Sequence, residues 1–273
     1  MVDLVRLAIG GVLAVVWLFV AVRLWESVRV LAWLRRRSTS TVSGSTDGDA
    51  VAVEGRVFVE DSPVAAERLF DDGDGRIGAY VWRLMFTEGG SYVYDDERGT
   101  FRQARQTFAS GIESGTFGVA ADGRRLHLDT GWLDRTHDGA ELSDVEVGDP
   151  TANVSLPAVI SRHVFDAPHV HLEGTRGGCS ADRLATVLNF YRDDVDADEF
   201  HVEARAVPAG TKLFVRGELR VEGGRATVVG TDETPLLLSD QGRDEMQRQL
   251  LWTALKHLLW LGLLGGLFWL LVL

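Results

Sequence analysis

Cysteine is nearly missing from this chain: Cys179 is the only one among 273 residues. That excludes an internal disulfide and any zinc site built from several thiolates. Lysine is almost as scarce, with only Lys212 and Lys256. The 28 basic residues are therefore nearly all arginine, and they face 40 acidic ones, for a net charge of −12. No basic stripe runs through the middle of the chain, so nucleic acid is not an expected partner. Acidic, lysine-poor surfaces keep a protein hydrated and dispersed by self-repulsion, which suits a halophilic source. Three catalytic signatures are missing too. There is no G-x-S-x-G, no P-loop, and no glycine fingerprint between a strand and a helix.

What the chain has in abundance is apolar sequence at its two ends. Leu4 to Val22 is apolar apart from Arg6, and the helical pattern extends to Leu34. About 20 residues at 1.5 Å each cross the hydrocarbon core, so this is an expected retained anchor. A signal peptide fits less well, because the apolar run is too long and no small-residue cleavage site follows. Leu250 to Leu273 is apolar apart from Thr253, Lys256 and His257, and it follows a polar lead-in from Gly242. Basic residues near the spans set orientation. Arg23, Arg29 and Arg35 to Arg37 follow the first span, and Arg243, Arg248 and Lys256 lie on the domain side of the second. The expectation is an integral protein of the cell membrane with its soluble part in the cytoplasm and its termini outside. The sequon Asn153-Val154-Ser155 bears only on the opposite topology.

Between the anchors the chain reads as β structure after a Ser/Gly/Thr linker, Ser38 to Asp49. Val51 to Glu60 alternates as a strand. Ala79 to Thr87 reads as a buried strand, continued by Ser91 to Tyr94 across a hairpin turn at Glu88-Gly89-Gly90. Phe101 to Gly111 fits helix or strand. Asp122-Gly123 joins two short strands, and Gly223-Gly224 joins Lys212 to Val221 with Ala226 to Val229. Pro235 to Ser239 is a further short strand. Ala158 to Phe165 and His169 to Glu173 are expected strands, Asp134 to Asp149 an exposed acidic run, and Gly177 to Arg192 a helix capped by Ser180. Phe200 to Val207 alternates, and Ser239 or Asp240 is placed to cap the last helix. Gly217 inside its strand marks a bulge or a close backbone approach. V-x-G-x-[VL]-x-V-E occurs at Val53 to Glu60 and again at Val215 to Glu222. This is either a distant repeat or two strands of one barrel-like type.

The expected fold class is thus α+β, mainly β: a mostly antiparallel β domain between two transmembrane helices. The segments are a first helix at 1–34, a linker at 35–49, a β-rich domain at 50–240, and a lead-in with the second helix at 241–273.

The order of these elements resembles the membrane-embedded module of the MULAN/GIDE family of mitochondrial RING ubiquitin ligases. The likeness rests on Val53-Glu54-Gly55, on Gly210-Thr211-Lys212-Leu213 with Gly217-Glu218-Leu219, and on Leu237-Leu238-Ser239 before Gln247-Arg248-Gln249. The segment from about Gly90 to Gly178 carries no matched motif. The resemblance implies a GIDE domain between two spans, with sensing or partner-binding roles. It also implies E3 ubiquitin-protein transferase activity through a RING finger after the second span. One cysteine cannot build a RING, and the sequence reaches Leu273 without one. Ubiquitin-like transfer would then need a RING supplied by another chain.

Few residues invite chemistry. His163, His169, His171 and Cys179 form the one metal-like cluster, but its spacing lacks a third placed ligand. Asp71, Asp72 and Asp74 form an acidic turn without EF-hand spacing. Cys179 before a helix, with His163 or His201, is the arrangement a Cys-His hydrolase would need. Each has a plainer reading as a core-edge histidine, a solvated turn or a buried thiol. The expectation is no catalytic residue, no metal and no cofactor. The expected partners are the lipid bilayer, a protein, and a second copy through Gly262 and Gly266, whose GxxxG spacing lets helices approach closely. Gly10 with Ala14 offers the same spacing in the first span.

Overall fold

The computed structural model describes residues 2–36, 44–70, 75–95, 100–147, 162–178, 189–190 and 200–272. The chain forms two compact units: residues 1–37 with 243–273, and residues 38–242.

The first unit is a helical hairpin. α1 (Val2–Arg35) and α4 (Gly242–Val272) are uninterrupted because their sequences are rich in Leu, Val and Ala and contain no proline. Both are long and apolar enough to cross a membrane. They run antiparallel. Gly265 lies beside Trp17, and Arg243 donates from Nη2 to the Leu34 carbonyl at 2.6 Å, satisfying one of the carbonyls orphaned at the α1 terminus. Val12, Val15, Leu18, Leu263 and Leu270 are each more than 60% exposed. An exposed apolar surface of that size marks a membrane-facing or protein-facing side.

The second unit is built on a closed ring of five strands. β1 (Ala50–Val59) pairs antiparallel with β4 (Phe117–Ala121), and β4 with β5 (Arg124–Leu128). β5 pairs parallel with β12 (Arg225–Val229). β12 pairs antiparallel with β11 (Lys212–Glu222), and β11 returns to β1. This order, a three-stranded meander closed by a parallel contact and two antiparallel ones, is the connectivity of an OB-type Greek-key barrel. Arg56 is shared, pairing with both Lys212 and Ala120, so β1 changes neighbour there and closes the ring. α3 (Gly131–Thr136) follows β5 and packs Trp132 and Leu133 into the core that Val53, Val119, Leu126, Val215 and Val228 fill.

The two copies of V-x-G-x-[VL]-x-V-E are neighbouring strands of this ring. Val53 pairs with Val215, so Gly55 and Gly217 lie symmetrically two residues on either side of that pair. Both are places of close approach. A Cβ on Gly55 would sit 2.5 Å from the Ala120 carbonyl oxygen, and one on Gly217 2.6 Å from both Val228 Cγ1 and the Val229 oxygen. The hairpins at Asp122-Gly123 and Gly223-Gly224 have positive φ at both turn residues, as two-residue turns matched to strand twist require.

A second sheet is inserted into the barrel connections. β2 (Ile77–Asp95) and β3 (Thr100–Ser114) lie between β1 and β4, while β8 (Thr175–Gly178) and β10 (Phe200–Pro208) precede β11. Their order is β3-β2-β10-β8, all antiparallel. This sheet has its own core of Tyr80, Trp82, Leu84, Phe108, Leu142, Phe200 and Ala204, with Leu69 and Phe70 from α2 (Ala66–Leu69) and its C-terminal neighbour. The Tyr80 hydroxyl donates to Glu113 Oε2, and Glu113 Oε1 accepts from the Leu142 N–H at 3.0 Å. Burial, reinforced by the Glu113 carboxylate, raises the Tyr80 pKa. The shorter pairs are parallel: β6 (Glu146–Val147) with β9 (Asn189–Phe190), and β7 (Val170–His171) with β13 (Leu237–Ser239).

Several expectations are corrected. Glu88-Gly89-Gly90 is not a turn. β2 continues through it, and the register against β3 shifts between Thr87 and Tyr92, so the glycines fall at an irregularity of one long strand. The 101–111 segment is strand. Residues 162–165 are not strand; the guanidinium groups of Arg83 and Arg205 instead lie over the Phe165 ring, at 4.4 and 4.7 Å. Gly177 and Gly178 end β8 rather than begin a helix. Gly177 pairs with Ala204 and lies so close to the Phe70 ring that no Cβ fits. Asn189 and Phe190 are also strand. Residues 179–188 and 158–161 lie outside the described residues. The acidic run is not uniformly exposed, since His137, Leu142 and Val145 are buried.

Replacing Gly217 by Ala forces a methyl against a backbone carbonyl and a core valine. Gly217→Ala is expected to cost about 1–3 kcal/mol in chemical denaturation, while Gly44→Ala, which meets nothing within 4 Å, changes little. Because the Tyr80 pKa is raised in the fold, its contribution is intact below the ordinary tyrosine value of about 10 and is lost as pH rises above it. Tyr80→Phe is expected to move the alkaline unfolding midpoint upward, followed by phenolate absorbance and circular dichroism.

Candidate functional site

Alternation along the barrel strands buries Val57, Val119, Leu126 and Leu128 and leaves the intervening residues on the outer face. On that face Phe58 of β1 pairs with Gly118 of β4, and Gly118 pairs with His127 of β5. Gly118 has no side chain, so the rings on either side meet across it. Phe58 and His127 are edge-to-face, with centroids 5.2 Å apart and planes at 86°. The Arg125 guanidinium lies over the Phe58 ring at 5.0 Å. His127 Nε2 is 3.4 Å from Glu60 Oε1, and His127 Nδ1 is buried without a hydrogen-bond partner among the described residues. Arg56 lies in the next layer, opposite Ala120 and Arg125, and donates to the Gly210 carbonyl at 3.1 Å. Gly118 cannot be replaced cheaply, because a Cβ would fall 2.0 Å from the Leu126 oxygen. β1 and β5, on either side of β4, thus present an aromatic face, an exposed guanidinium, an imidazole and a carboxylate. That set can stack on, and hydrogen-bond to, a ligand.

A second cluster is buried. His137, just after α3, places Nε2 3.0 Å from Nδ1 of His169, and both rings are less than 10% exposed. One nitrogen must donate and the other accept, so this bond does not survive protonation of both rings. Trp132 meets His169 edge-on at 5.2 Å and donates from Nε1 to Asp232 at 3.1 Å. The His169 carbonyl accepts from the Leu238 N–H, which ties the pair to β13. Nearby on α3, burial and the Glu141 carboxylate raise the Asp134 pKa, with Arg135 opposing.

The histidines weighed from the sequence lie in separate surroundings. His169 turns to His137, which lay in the acidic run expected to be exposed. His171 Nε2 lies 3.8 Å from Glu173 Oε1. His163 is half-buried in the segment before β7, and His201 lies on β10 opposite Met85. Among the described residues no three His, Cys, Asp or Glu side chains gather in a way that could hold a metal. Cys179, Asp71, Asp72 and Asp74 lie outside the described residues. Asp240 is not the helix cap; its carboxylate accepts from the Glu173 and Gly174 N–H groups, and Ser239 Oγ accepts from Gln241 N–H. The Phe58–Arg125–His127 face carries no sequence motif. Only the pairing of three strands through Gly118 reveals it.

No protein-family model, no curated protein and no solved structure matches this chain.

A carboxylic acid whose pKa is raised in the fold holds its proton more tightly there than in the unfolded chain. Stability then falls as pH rises from the ordinary aspartate value through the raised one. Asp134→Asn is expected to raise the unfolding midpoint at neutral pH. The gain should shrink as pH drops into the aspartate range, measured by thermal denaturation across a pH series.

Proposed function

We propose that this chain is a membrane-anchored binding module that docks a protein partner on the outer face of its barrel. The observation that carries this reading is the Phe58–Arg125–His127 group, brought together from β1 and β5 across β4 in a domain bracketed by two helices long and apolar enough to span a membrane. OB-type barrels bind ligands on the face of their second and third strands, which here are β4 and β5. The placing of the domain in the cytoplasm at the cell membrane, and kinship with the GIDE module, belong to the same proposal. The first is supported by the basic residues that flank both spans on the domain side, and the second by the order of motifs along the chain. Self-association through Gly262 and Gly266 fits as well. Neither glycine meets anything within 4 Å, whereas Gly265 is the one beside Trp17. The module binds rather than catalyses, and any ubiquitin-like transfer would depend on a RING from another chain.

In-membrane crosslinking followed by purification of the full-length protein tests this. One protein should recur with the wild type and be lost with Phe58→Ala/Arg125→Glu. Recovery of the same set with both, or of self-crosslinks alone, overturns the barrel face as the docking surface. Purified protein supplied with activating and conjugating enzymes is expected to form no conjugates by itself.

A further inference from the structure

Charge is divided sharply between the two units. The helical unit holds nine basic residues against four acidic ones, net +5, and the remaining 19 against 36 give net −17. Apart from Arg6, the basic residues of the helical unit lie toward one end of the hairpin. The contacts Trp17–Gly265 and Leu34–Arg243 set the register between the helices and bring Lys256 level with about residue 24 of α1. Arg23 and Lys256 are therefore the first charges met on leaving the apolar section of each helix, at nearly the same height. The uncharged stretch of α1 from Leu7 to Val22, extended by side chains that snorkel at each end, approaches the roughly 30 Å of a bilayer core.

Around this height both helices carry the same pattern, with Arg29 about five residues further along from the apolar section than Lys256. Trp25, Arg29 and Trp33 are spaced four residues apart on α1, and Trp252, Lys256 and Trp260 are spaced four apart on α4. In each, a cation stands between two indoles one turn away on the same side of the helix. Trp25, Trp252 and Trp260 are each more than half exposed. The Arg29 guanidinium lies 4.5 Å over the Trp33 ring. Among the described residues neither Arg29 nor Lys256 is ion-paired, whereas Arg23 has Glu26 at 3.5 Å and Arg248 has Glu245 at 2.9 Å. Indole rings favour the bilayer interface, where the N–H can reach polar headgroups, and a cation there attracts phosphate.

We propose that Trp25–Arg29–Trp33 and Trp252–Lys256–Trp260 form a collar that binds the phosphate headgroups of anionic phospholipids. The collar lies in the leaflet where the chain leaves the membrane for the barrel. The occupant is a lipid rather than free phosphate, because Lys256 is flanked by two exposed indoles, and Arg29 stands between exposed Trp25 and the buried Trp33 that it covers, a setting that matches headgroup and acyl chain together. This rests on the reading of both helices as membrane spans.

The test uses full-length protein reconstituted in phosphatidylcholine alone or with phosphatidylglycerol, then extracted and examined by native mass spectrometry for retained lipid. Quenching of tryptophan fluorescence by phosphatidylcholine brominated in its acyl chains is read in parallel. Wild type should retain phosphatidylglycerol over phosphatidylcholine, with the preference weakening in salt. Arg29→Gln and Lys256→Gln should each lower that preference about fivefold while quenching is unchanged. Arg29→Lys/Lys256→Arg should restore it, and Arg6→Gln should leave it intact. Equal retention of both lipids by wild type, or no change in the glutamine variants, overturns the collar while leaving the spans standing. Absence of quenching in any vesicle overturns both the spans and the collar, a result distinct from the first.

Discussion

The ladder between β1 and β11 is the contact on which the β-rich unit depends. These strands are separated by more than 150 residues of sequence, and their pairing turns an open sheet into a ring. Everything inserted between them, including the whole second sheet, is a long excursion whose ends this ladder brings together. A closed ring has no free edge strands, which removes a common route to aggregation. Its tightness is set by two glycines placed symmetrically about the Val53–Val215 pair, each allowing a neighbouring backbone to come within reach of a missing methyl.

Local chemistry was legible in the sequence wherever short-range physics decides the outcome. The turns at Asp122-Gly123 and Gly223-Gly224 need residues tolerant of positive φ, and those residues stand there. The apolar helices declare themselves by length. The repeated V-x-G-x-[VL]-x-V-E pointed to two similar strands, but composition says nothing of pairing, so their adjacency was hidden. Gly89-Gly90 shows the opposite failure. Two glycines between β-forming runs look like a hairpin turn, yet the partner strand follows the chain past them and a register shift absorbs the irregularity. Gly177-Gly178 misled for a related reason. A glycine pair before a plausible cap resembles a helix start, whereas here it is the close contact with Phe70 that requires glycine.

The candidate site was the least legible part. Phe58, Gly118 and His127 lie on three strands, and nothing local marks Gly118 as the gap across which two rings meet. His137 was obscured by its acidic surroundings, because burial there depends on α3 turning its neighbours Trp132 and Leu133 into the barrel core. Histidine spacing along one strand gave a ligand-like pattern, but the geometry pairs His169 with a residue 32 positions earlier. Charge tells a more global story. The acidic excess belongs to the β-rich unit alone, whereas the helical unit is net basic, with its cations apart from Arg6 toward one end of the hairpin.

β11 carries β1 on one edge and β13 on the other, and these are the strands nearest in sequence to the two terminal helices. Asp49, Gly48 and Asp47 extend the β1 contact along β11 as far as Val221, while β13 ends opposite Phe214. The two tethers therefore leave β11 toward opposite ends. A load applied along β11 from these two ends would stress both ladders in shear, so that many hydrogen bonds yield together rather than one by one as in a zipper.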